Sequence, residues 1–194
     1  IAYGARKAGF VHKGIRYQIS HAWATDYDHD TCNTFRRNIC PHSPETVICA
    51  DIRNLDLRKL KEISEIDGLA FGFPCNDFSI VGEQKGIHGH FGPLYTYGVE
   101  VLKLCRPKWF LAENVGGLSH SNEGKAFNTI LDELYKAGYS IYPHLYNFED
   151  YGIPQSRRRI IIIGIRDDLH VCYRVPSAEP FRGMDVTVKT ALTV

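Results

Sequence analysis

Apolar positions along this chain fall into short runs separated by stretches with helical spacing, such as the apolar residues at 57, 60, 63 and 66. This alternation predicts strands over 18–24, 47–50, 69–73, 109–112, 140–148 and 160–165 and helices over 2–8, 28–37, 55–66, 94–105 and 123–137. Strands that alternate with helices indicate βαβ units and a largely parallel sheet. The last two strands predict an antiparallel hairpin at one edge, and the fold class is therefore α/β.

Composition limits the classes of protein to consider. A chain of 194 residues with 44% hydrophobic content is long enough for one domain with a sizeable core. The formal net charge is only +1, whereas a protein that held nucleic acid chiefly by neutralising phosphates would be more basic. Any nucleic-acid contact surface is therefore local, or much of it lies outside this chain.

The cysteines indicate no metal site. The six cysteines form no C-x-x-C pair and have no metal-ligand spacing with the nine histidines. The chain also has no signal-peptide pattern and no apolar run near the roughly 18 residues of a membrane span. We therefore expect free thiols in a reducing intracellular compartment, and neither a metal nor a membrane partner.

One cysteine stands out by its position. Cys75 follows Pro74 at the end of the apolar run 68–73, and in α/β sheets ligands gather outside the carboxyl ends of the strands. On its own Cys75 is better explained as a buried, inert thiol. Two downstream segments change this balance, Ala-Glu-Asn-Val at 112–115 and Tyr-Gly-Ile-Pro-Gln-Ser-Arg-Arg-Arg at 151–159.

In this order, the Pro-Cys, Glu-Asn-Val and Gln-x-Arg-x-Arg segments resemble the motifs of the cytosine-C5 DNA methyltransferases, in their bacterial type. The resemblance extends from residue 1 to about residue 166. It implies a Rossmann-like class I S-adenosylmethionine-dependent methyltransferase fold, with a mostly parallel sheet and an antiparallel edge hairpin. It also implies methyl transfer from S-adenosylmethionine to C5 of a flipped-out cytosine in double-stranded DNA, within a restriction-modification system.

The resemblance assigns the catalytic roles to four residues. Cys75 would add to C6 of cytosine, because C5 alone is too weak a nucleophile to take the methyl group. Glu113 would face the pyrimidine edge and, if protonated, donate to N3, although a surface glutamate at a helix start is the ordinary alternative. Arg157 and Arg159 would share one face of an extended segment and support the site, where otherwise they would be a solvated basic run.

Three further residues are implied to contact the substrate or hold the site. Asn114 is expected to hold the cysteine loop, Gln155 to organise the site or contact the nucleotide backbone, and Ser79 to follow the cysteine as in the DNA-specific members. Because the target atom lies inside a stacked duplex, the nucleotide has to be extruded into a pocket. The glycine-rich loop 82–92 is a candidate lid over the flipped base.

The resemblance also implies a set of cofactor contacts: Asp26 on the ribose, Tyr27 on the adenine face, Asp51 and Ile52 at the adenine edge, Leu94 on the opposite side, and Pro74. An acid beyond the second strand is suited to a ribose, and Asp28 is an alternative to Asp26. Without the resemblance, Asp26 or Asp28 is more simply explained as a helix N-cap, Tyr27 as a surface aromatic residue and Ile52 as core.

The domain organisation follows the same resemblance. Residues 1–175 would form the catalytic domain without its first strand and Gly-rich turn, and residues 176–194 would begin a linker toward a target-recognition domain. A complementary polypeptide would supply the remainder if the enzyme is naturally split. Two other functions stay open, a transfer RNA cytosine-C5 methyltransferase and a non-catalytic nucleic-acid-binding paralogue.

Overall fold

The computed structural model describes residues 1–63, 65–73, 94–116 and 125–192, which form two compact units, Ile1–Ile66 and Asp67–Val194. The first unit contains α1 (Ala2–Lys7), β1 (Gly9–His12), β2 (Ile15–Gln18), β3 (Ala24–Asp26), α2 (His29–Asn38), β4 (Val47–Cys49) and α3 (Leu57–Ile63). Strands β3 and β4 pair in parallel, with Asp26 opposite Cys49. Strands β1 and β2 form an exposed antiparallel hairpin whose turn uses positive φ at Lys13 and Gly14.

A small core holds α2 against this parallel pair. Cys32 and Cys40 are buried together with Val47, and Phe35 packs against them. The carboxylate of Asp28 accepts a hydrogen bond from the backbone amide of Thr31 at 2.7 Å, which caps the N-terminus of α2. The cap fixes the start of the helix directly after β3.

The second unit contains β5 (Gly68–Gly72), α4 (Tyr95–Cys105), β6 (Trp109–Val115), α5 (Lys125–Lys136), β7 (Tyr139–Asn147), β8 (Arg158–Arg166) and α6 (Val188–Leu192). Its sheet has the strand order β5-β6-β8-β7. Strands β5 and β6 are parallel, whereas β8 is antiparallel to both β6 and β7. The predicted α/β class and the antiparallel hairpin at the sheet edge are confirmed.

Two glycines allow close packing in the second unit. A Cβ atom at Gly98 of α4 would lie 2.4 Å from the ring of Phe71, and one at Gly164 of β8 would lie 1.9 Å from the ring of Phe110. Since real Cβ atoms do not approach this closely, only glycine fits at either position. Phe110 is fully buried, and its ring meets that of Tyr139, whose hydroxyl donates to the carbonyl of Pro107.

Side chains alternate between the two faces of this sheet, and the alternation separates core from site. The buried face carries Phe110, Ala112 and Asn114 of β6 with Ile160 and Ile162 of β8. Glu113 and Val115 point to the opposite face, which Arg159 of β8 and Tyr146 of β7 share because Arg159 is opposite both Val115 and Tyr146. The polar residues of the Glu-Asn-Val motif therefore lie on different faces.

The observed elements differ from the predicted ones in a few places. The predicted strand 18–24 is divided between the end of β2 and the start of β3, because β3 pairs only with β4, which is three residues long. Helix α3 ends at Ile63 instead of residue 66, and β6 continues to Val115 beyond the predicted end at 112. Within the described ranges, no helix is both long and apolar enough to cross a bilayer.

Candidate active site

The carboxyl ends of β5 and β6 lie side by side, and Glu113 stands directly opposite Gly72. A Cβ atom added at Gly72 would lie 3.5 Å from Oε2 of Glu113, an ordinary van der Waals contact. Gly72 itself therefore places no side-chain atom against this carboxylate oxygen. Phe73 follows in sequence, and Cys75 is two residues further on.

Asn114 fastens the end of β5 to β6. Its side chain is 2% exposed, and its Nδ2 atom donates a 2.9 Å hydrogen bond to the carbonyl of Phe73. Its Oδ1 atom accepts a hydrogen bond from the backbone amide of Val115. Both ends of the buried amide are satisfied, so Asn114 holds the backbone that leads into Pro74.

Two arginines face the carboxylate of Glu113. Nε of Arg159 lies 2.9 Å from Oε1 of Glu113, whereas the nearest guanidinium nitrogen of Arg157 lies 3.9 Å from the same oxygen. The side chains of Glu113 and Arg159 are 26% and 21% exposed, and that of Arg157 is 40% exposed. Arg159 is therefore the close, partly buried partner, and Arg157 is a longer-range and better solvated one.

The loop before β8 presents these arginines. The backbone amide of Phe148 donates to the carbonyl of Arg157 at 3.0 Å, which closes the loop 148–157. Gly152 within it has φ +76°, a conformation that side chains disfavour. Arg158 is exposed, in keeping with the predicted alternation around it, and Gln155 lies exposed in the turn before the strand.

Three predicted site residues lie outside the described residues: Pro74, Cys75 and Ser79. The candidate lid 82–92 also lies outside them. The described part of the site consists of the strand end that precedes Cys75 and the ion pair beside it. Residues 1–63, 65–73, 94–116 and 125–192 contain no group of three or more His, Cys, Asp or Glu residues able to hold a metal ion.

The candidate cofactor residues of the first unit lie where β3 and β4 end. Because the strands are parallel, Asp26 and the residues after Cys49 meet at one edge, where the amide of Ala50 donates to the carbonyl of Asp26 at 2.9 Å. Oδ1 of Asp26 accepts from the amide of Asp28. Asp28 is the helix cap, and the hydrogen bonds from Thr31 hold the pKa of Asp28 below its ordinary value.

The carboxylate of Asp51 is held in a different way from that of Asp28. Asp51 accepts hydrogen bonds from the backbone amide and the guanidinium of Arg53, which lower the pKa of Asp51 to about 2. Asp51 is therefore ionised at neutral pH. Ile52 is half-buried beside it, Tyr27 is 79% exposed at the same edge, and Leu94 lies in the second unit just before α4.

The sequence patterns left two contributors to the site unnoticed. Gly72 is part of the cysteine motif, but only the structure shows that it stands opposite Glu113. Tyr146 lies within the predicted strand 140–148, where the alternation of Tyr142, His144 and Tyr146 already indicates a shared face. That face is the one that carries Glu113 and Arg159.

Comparison with known proteins identifies the family of this chain. A family model described as C-5 cytosine-specific DNA methylase matches residues 2–190. The Type II methyltransferase M.BbvI of Brevibacillus brevis is 54% identical over 182 residues, which cover 91% of this chain and 49% of that protein. M.NgoFVII of Neisseria gonorrhoeae is 36% identical over 79% of this chain and 40% of its own length.

Solved structures agree on the fold. A candidate DNA modification methyltransferase encoded within a prophage of E. coli superimposes with a TM-score of 0.67 at 28% identity, over 88% of this chain and 47% of that one. DNMT2 of Spodoptera frugiperda superimposes with a TM-score of 0.62 at 22% identity, over 80% of this chain and 48% of its own. The chain spans about half the length of the curated relatives it matches. The resemblance seen in the three motifs is confirmed.

Proposed function

Because this chain belongs to the C-5 cytosine-specific DNA methylase family, we propose that the protein transfers a methyl group from S-adenosylmethionine to C5 of cytosine in double-stranded DNA. The observation that carries the proposal is the Glu113–Arg159 ion pair beside the end of β5, which lies three residues before Cys75 in the sequence. A carboxyl group and a guanidinium thus lie at the sheet edge where α/β proteins bind their ligands, next to the strand that leads toward the candidate nucleophile.

The reaction follows from the weakness of C5 as a nucleophile. The thiolate of Cys75 adds to C6, which moves electron density toward C5 and N3. Bound S-adenosylmethionine would supply an electrophilic methyl group to C5, and S-adenosylhomocysteine would leave as the methyl–sulfur bond breaks. Loss of the proton from C5 to a water molecule that acts as the base then lets the C6–S bond break, which restores the aromatic ring and the thiolate.

Glu113 and the arginines have distinct roles in this proposal. Oε1 of Glu113 is held by Arg159, and Oε2 lies over Gly72, so the carboxyl group presents one defined oxygen toward the pyrimidine edge. When it is protonated, a carboxyl group positioned there donates to N3 as negative charge develops on the ring. Arg157, the longer-range partner, and the exposed Gln155 contact the nucleotide backbone, and Asn114 keeps the cysteine segment in place.

The adenosine of the cofactor is proposed to bind the edge of β3 and β4. Asp26 accepts from the ribose hydroxyls, since Asp28 is already engaged as the cap of α2. The exposed ring of Tyr27 offers a face for the adenine, and Asp51 with Ile52 meets the adenine edge. For Pro74, Leu94 and Ser79 the resemblance is the support, and their roles stay predictions.

Several wider features belong to the proposal. The names of the Type II relatives support a role in restriction and modification, and the reaction requires a compartment that contains DNA and extrusion of the target nucleotide. Residues 1–175 would be the catalytic domain and residues 176–194 the approach to a target-recognition domain. A complementary polypeptide that supplies a Gly-rich cofactor turn stays a prediction.

The test is transfer of a labelled methyl group to duplex DNA by the full-length protein, beside its Cys75→Ser variant and a Cys105→Ser control. Cys105 is a partly exposed thiol at the end of α4 and has no role in the proposed site, so its replacement leaves the reaction unchanged. Label at cytosine C5 that requires Cys75 supports the proposal. Label on folded RNA alone indicates a transfer RNA enzyme, and cofactor binding without any transfer indicates a non-catalytic paralogue.

A further inference from the structure

A row of side chains crosses one face of the sheet in the second unit and ends beyond β8. Val115 is opposite Arg159, and Arg159 is opposite Tyr146, so Arg159 lies diagonal to Glu113 and directly beside Tyr146. Residues opposite each other in antiparallel strands point to the same face, with Cβ atoms roughly 5 Å apart. The position of Tyr146 therefore limits the space available to the Arg159 side chain.

Burial, two ring contacts and one hydrogen bond fix the position of the Tyr146 side chain. It is 8% exposed, and its ring packs against those of His144 and Tyr151 with centroids 4.7 and 5.4 Å away. Its hydroxyl shares a 3.2 Å hydrogen bond with the hydroxyl of Tyr173. Burial raises the pKa of Tyr146, so the hydroxyl keeps its proton at neutral pH.

Tyr173 belongs to a segment that crosses the sheet edge after β8, residues 172–181, which we call the clasp segment. The ring of Tyr173 lies 5.9 Å from that of Tyr142. Two other residues of the clasp segment, Pro176 and Phe181, contact Tyr151. The hydroxyl of Tyr151 donates to the carbonyl of Pro176 at 3.1 Å, and the ring of Phe181 lies 6.1 Å from that of Tyr151. The clasp segment is thus joined to β7 and to the loop 148–157.

We propose that Tyr146 is a positioning residue for Arg159, and that the clasp segment keeps Tyr146 in place through the hydroxyl of Tyr173. The inference rests on the proposed function, since Arg159 acts there on Glu113. Without the clasp, the side chain of Tyr146 gains freedom and the Arg159 guanidinium is no longer confined to the geometry that orients Glu113. Binding of the cofactor does not depend on this row, because none of the proposed cofactor contacts, Asp26, Tyr27, Asp51, Ile52, Pro74 and Leu94, belongs to it.

The loop 148–157 connects the clasp segment to Arg157 and Arg159 through a second set of contacts. Tyr151 is joined to the clasp segment at one end of the loop, and at the other end Arg157 accepts the hydrogen bond from Phe148. A Cβ atom at Gly152 would lie 3.0 Å from Phe181, so the loop backbone approaches the clasp segment closely. Displacement of the clasp segment would therefore affect Arg157 at the end of the loop and Arg159 at the start of β8.

The test uses four variants of the full-length protein: Tyr146→Phe, Tyr173→Phe, the double variant, and Tyr135→Phe as a control. Tyr135 is an exposed tyrosine on α5 and is not one of the side chains of the row. Each single substitution removes one partner of the same hydrogen bond and keeps both rings. We expect kcat to fall about threefold to tenfold with the KM for S-adenosylmethionine unchanged, the effect of losing one buried hydrogen bond.

The double variant separates positioning from general weakening. Because both hydroxyls serve one bond, the double variant should lose no more activity than either single variant. Additive losses, an equal loss in the Tyr135→Phe control, or an unchanged kcat in both single variants would overturn the proposal. A rise in the KM for S-adenosylmethionine without a change in kcat would overturn it as well.

Hydrogen exchange gives a readout that does not require activity. Amides of residues 157–160 should exchange faster in Tyr173→Phe than in the wild-type protein, whereas amides of α4 should not change. Unchanged exchange over 157–160 overturns the positioning role whatever the activity. If the wild-type protein transfers no methyl group while exchange responds as expected, the proposed function fails and the structural coupling stands.

Discussion

The guanidinium of Arg159 contacts Glu113 across two antiparallel strands, with Nε 2.9 Å from Oε1, although the two residues are diagonal rather than opposite in the ladder. The residue directly opposite Arg159 is Val115, which offers no polar atom from its side chain. The arginine therefore reaches along β6 to the carboxylate. This places a positive charge beside the carboxyl group to which the proposed mechanism gives the proton-donating role.

Removal of Arg159 should harm the reaction more than removal of Arg157. A hydrogen bond to a charged group contributes about 1.5–3 kcal/mol, so Arg159→Gln should lower kcat about 10- to 150-fold. Arg157→Gln should lower it less than about tenfold, since its ion pair is longer and more exposed. Steady-state methyl transfer with Arg158→Gln as the control checks the order, and an Arg157 effect larger than that of Arg159 would contradict the geometry.

Gly72→Ala separates activity from stability. The added methyl group would lie in ordinary contact with Oε2 of Glu113, so the protein should fold and its free energy of unfolding should not fall. The methyl group covers the oxygen offered to the base, and misplacement of a catalytic group should lower kcat roughly 10- to 100-fold. Gly4→Ala, at a position with open space, is the control. Full activity in Gly72→Ala would exclude Oε2 as the acting atom.

Asn114→Ala should act mainly through stability. The substitution leaves the buried carbonyl of Phe73 without its donor, which costs about 1–3 kcal/mol. Urea unfolding followed by circular dichroism measures this loss, and Asn54→Ala, at an exposed residue, should change it little. A loss equal to that of the control would show that the Asn114–Phe73 bond does not hold β5 to β6.

Asp51 gives a pH dependence with a defined sign. Its pKa is lowered to about 2, below the value of about 3.9 expected in an unfolded chain. Its contribution to stability is therefore complete above about pH 4 and is lost as the pH falls toward 2. The carboxyl carbon of Asp51, followed by NMR, should titrate near pH 2 in the wild-type protein and move toward pH 4 in Arg53→Ala. A wild-type midpoint near pH 4 would rule out the ion pair with Arg53.

The order of strands and helices from β3 to β8 could be predicted from the sequence because apolar periodicity reflects burial directly. The hairpin of β1 and β2 was missed, because all residues of both strands are exposed. The limits of β3 could not, because they depend on the short partner β4 rather than on the residues of β3. The choice between Asp26 and Asp28 also required the structure: both acids suit a helix cap, and only the hydrogen bond to Thr31 identifies the capping one.

The candidate active-site motifs could be recognised in the sequence because each is short and local. The distances and contacts between residues of different motifs could not be predicted. The alternation of Arg157 and Arg159 predicted a shared face, yet their unequal distances to Glu113 depend on the register between β6 and β8. The contribution of Tyr146 depends on a segment more than twenty residues away in sequence, Tyr173. Contacts of that range leave no local pattern.

The most direct measurement of the central claim is the intact mass of the full-length protein after incubation with S-adenosylmethionine and duplex DNA in which the target cytosine carries fluorine at C5. Because fluorine does not leave as a proton does, the covalent adduct cannot resolve. The account predicts a stable protein–DNA complex, attached at Cys75 and absent in Cys75→Ser. Methylation of ordinary DNA without any such complex, or a complex attached elsewhere, would contradict it.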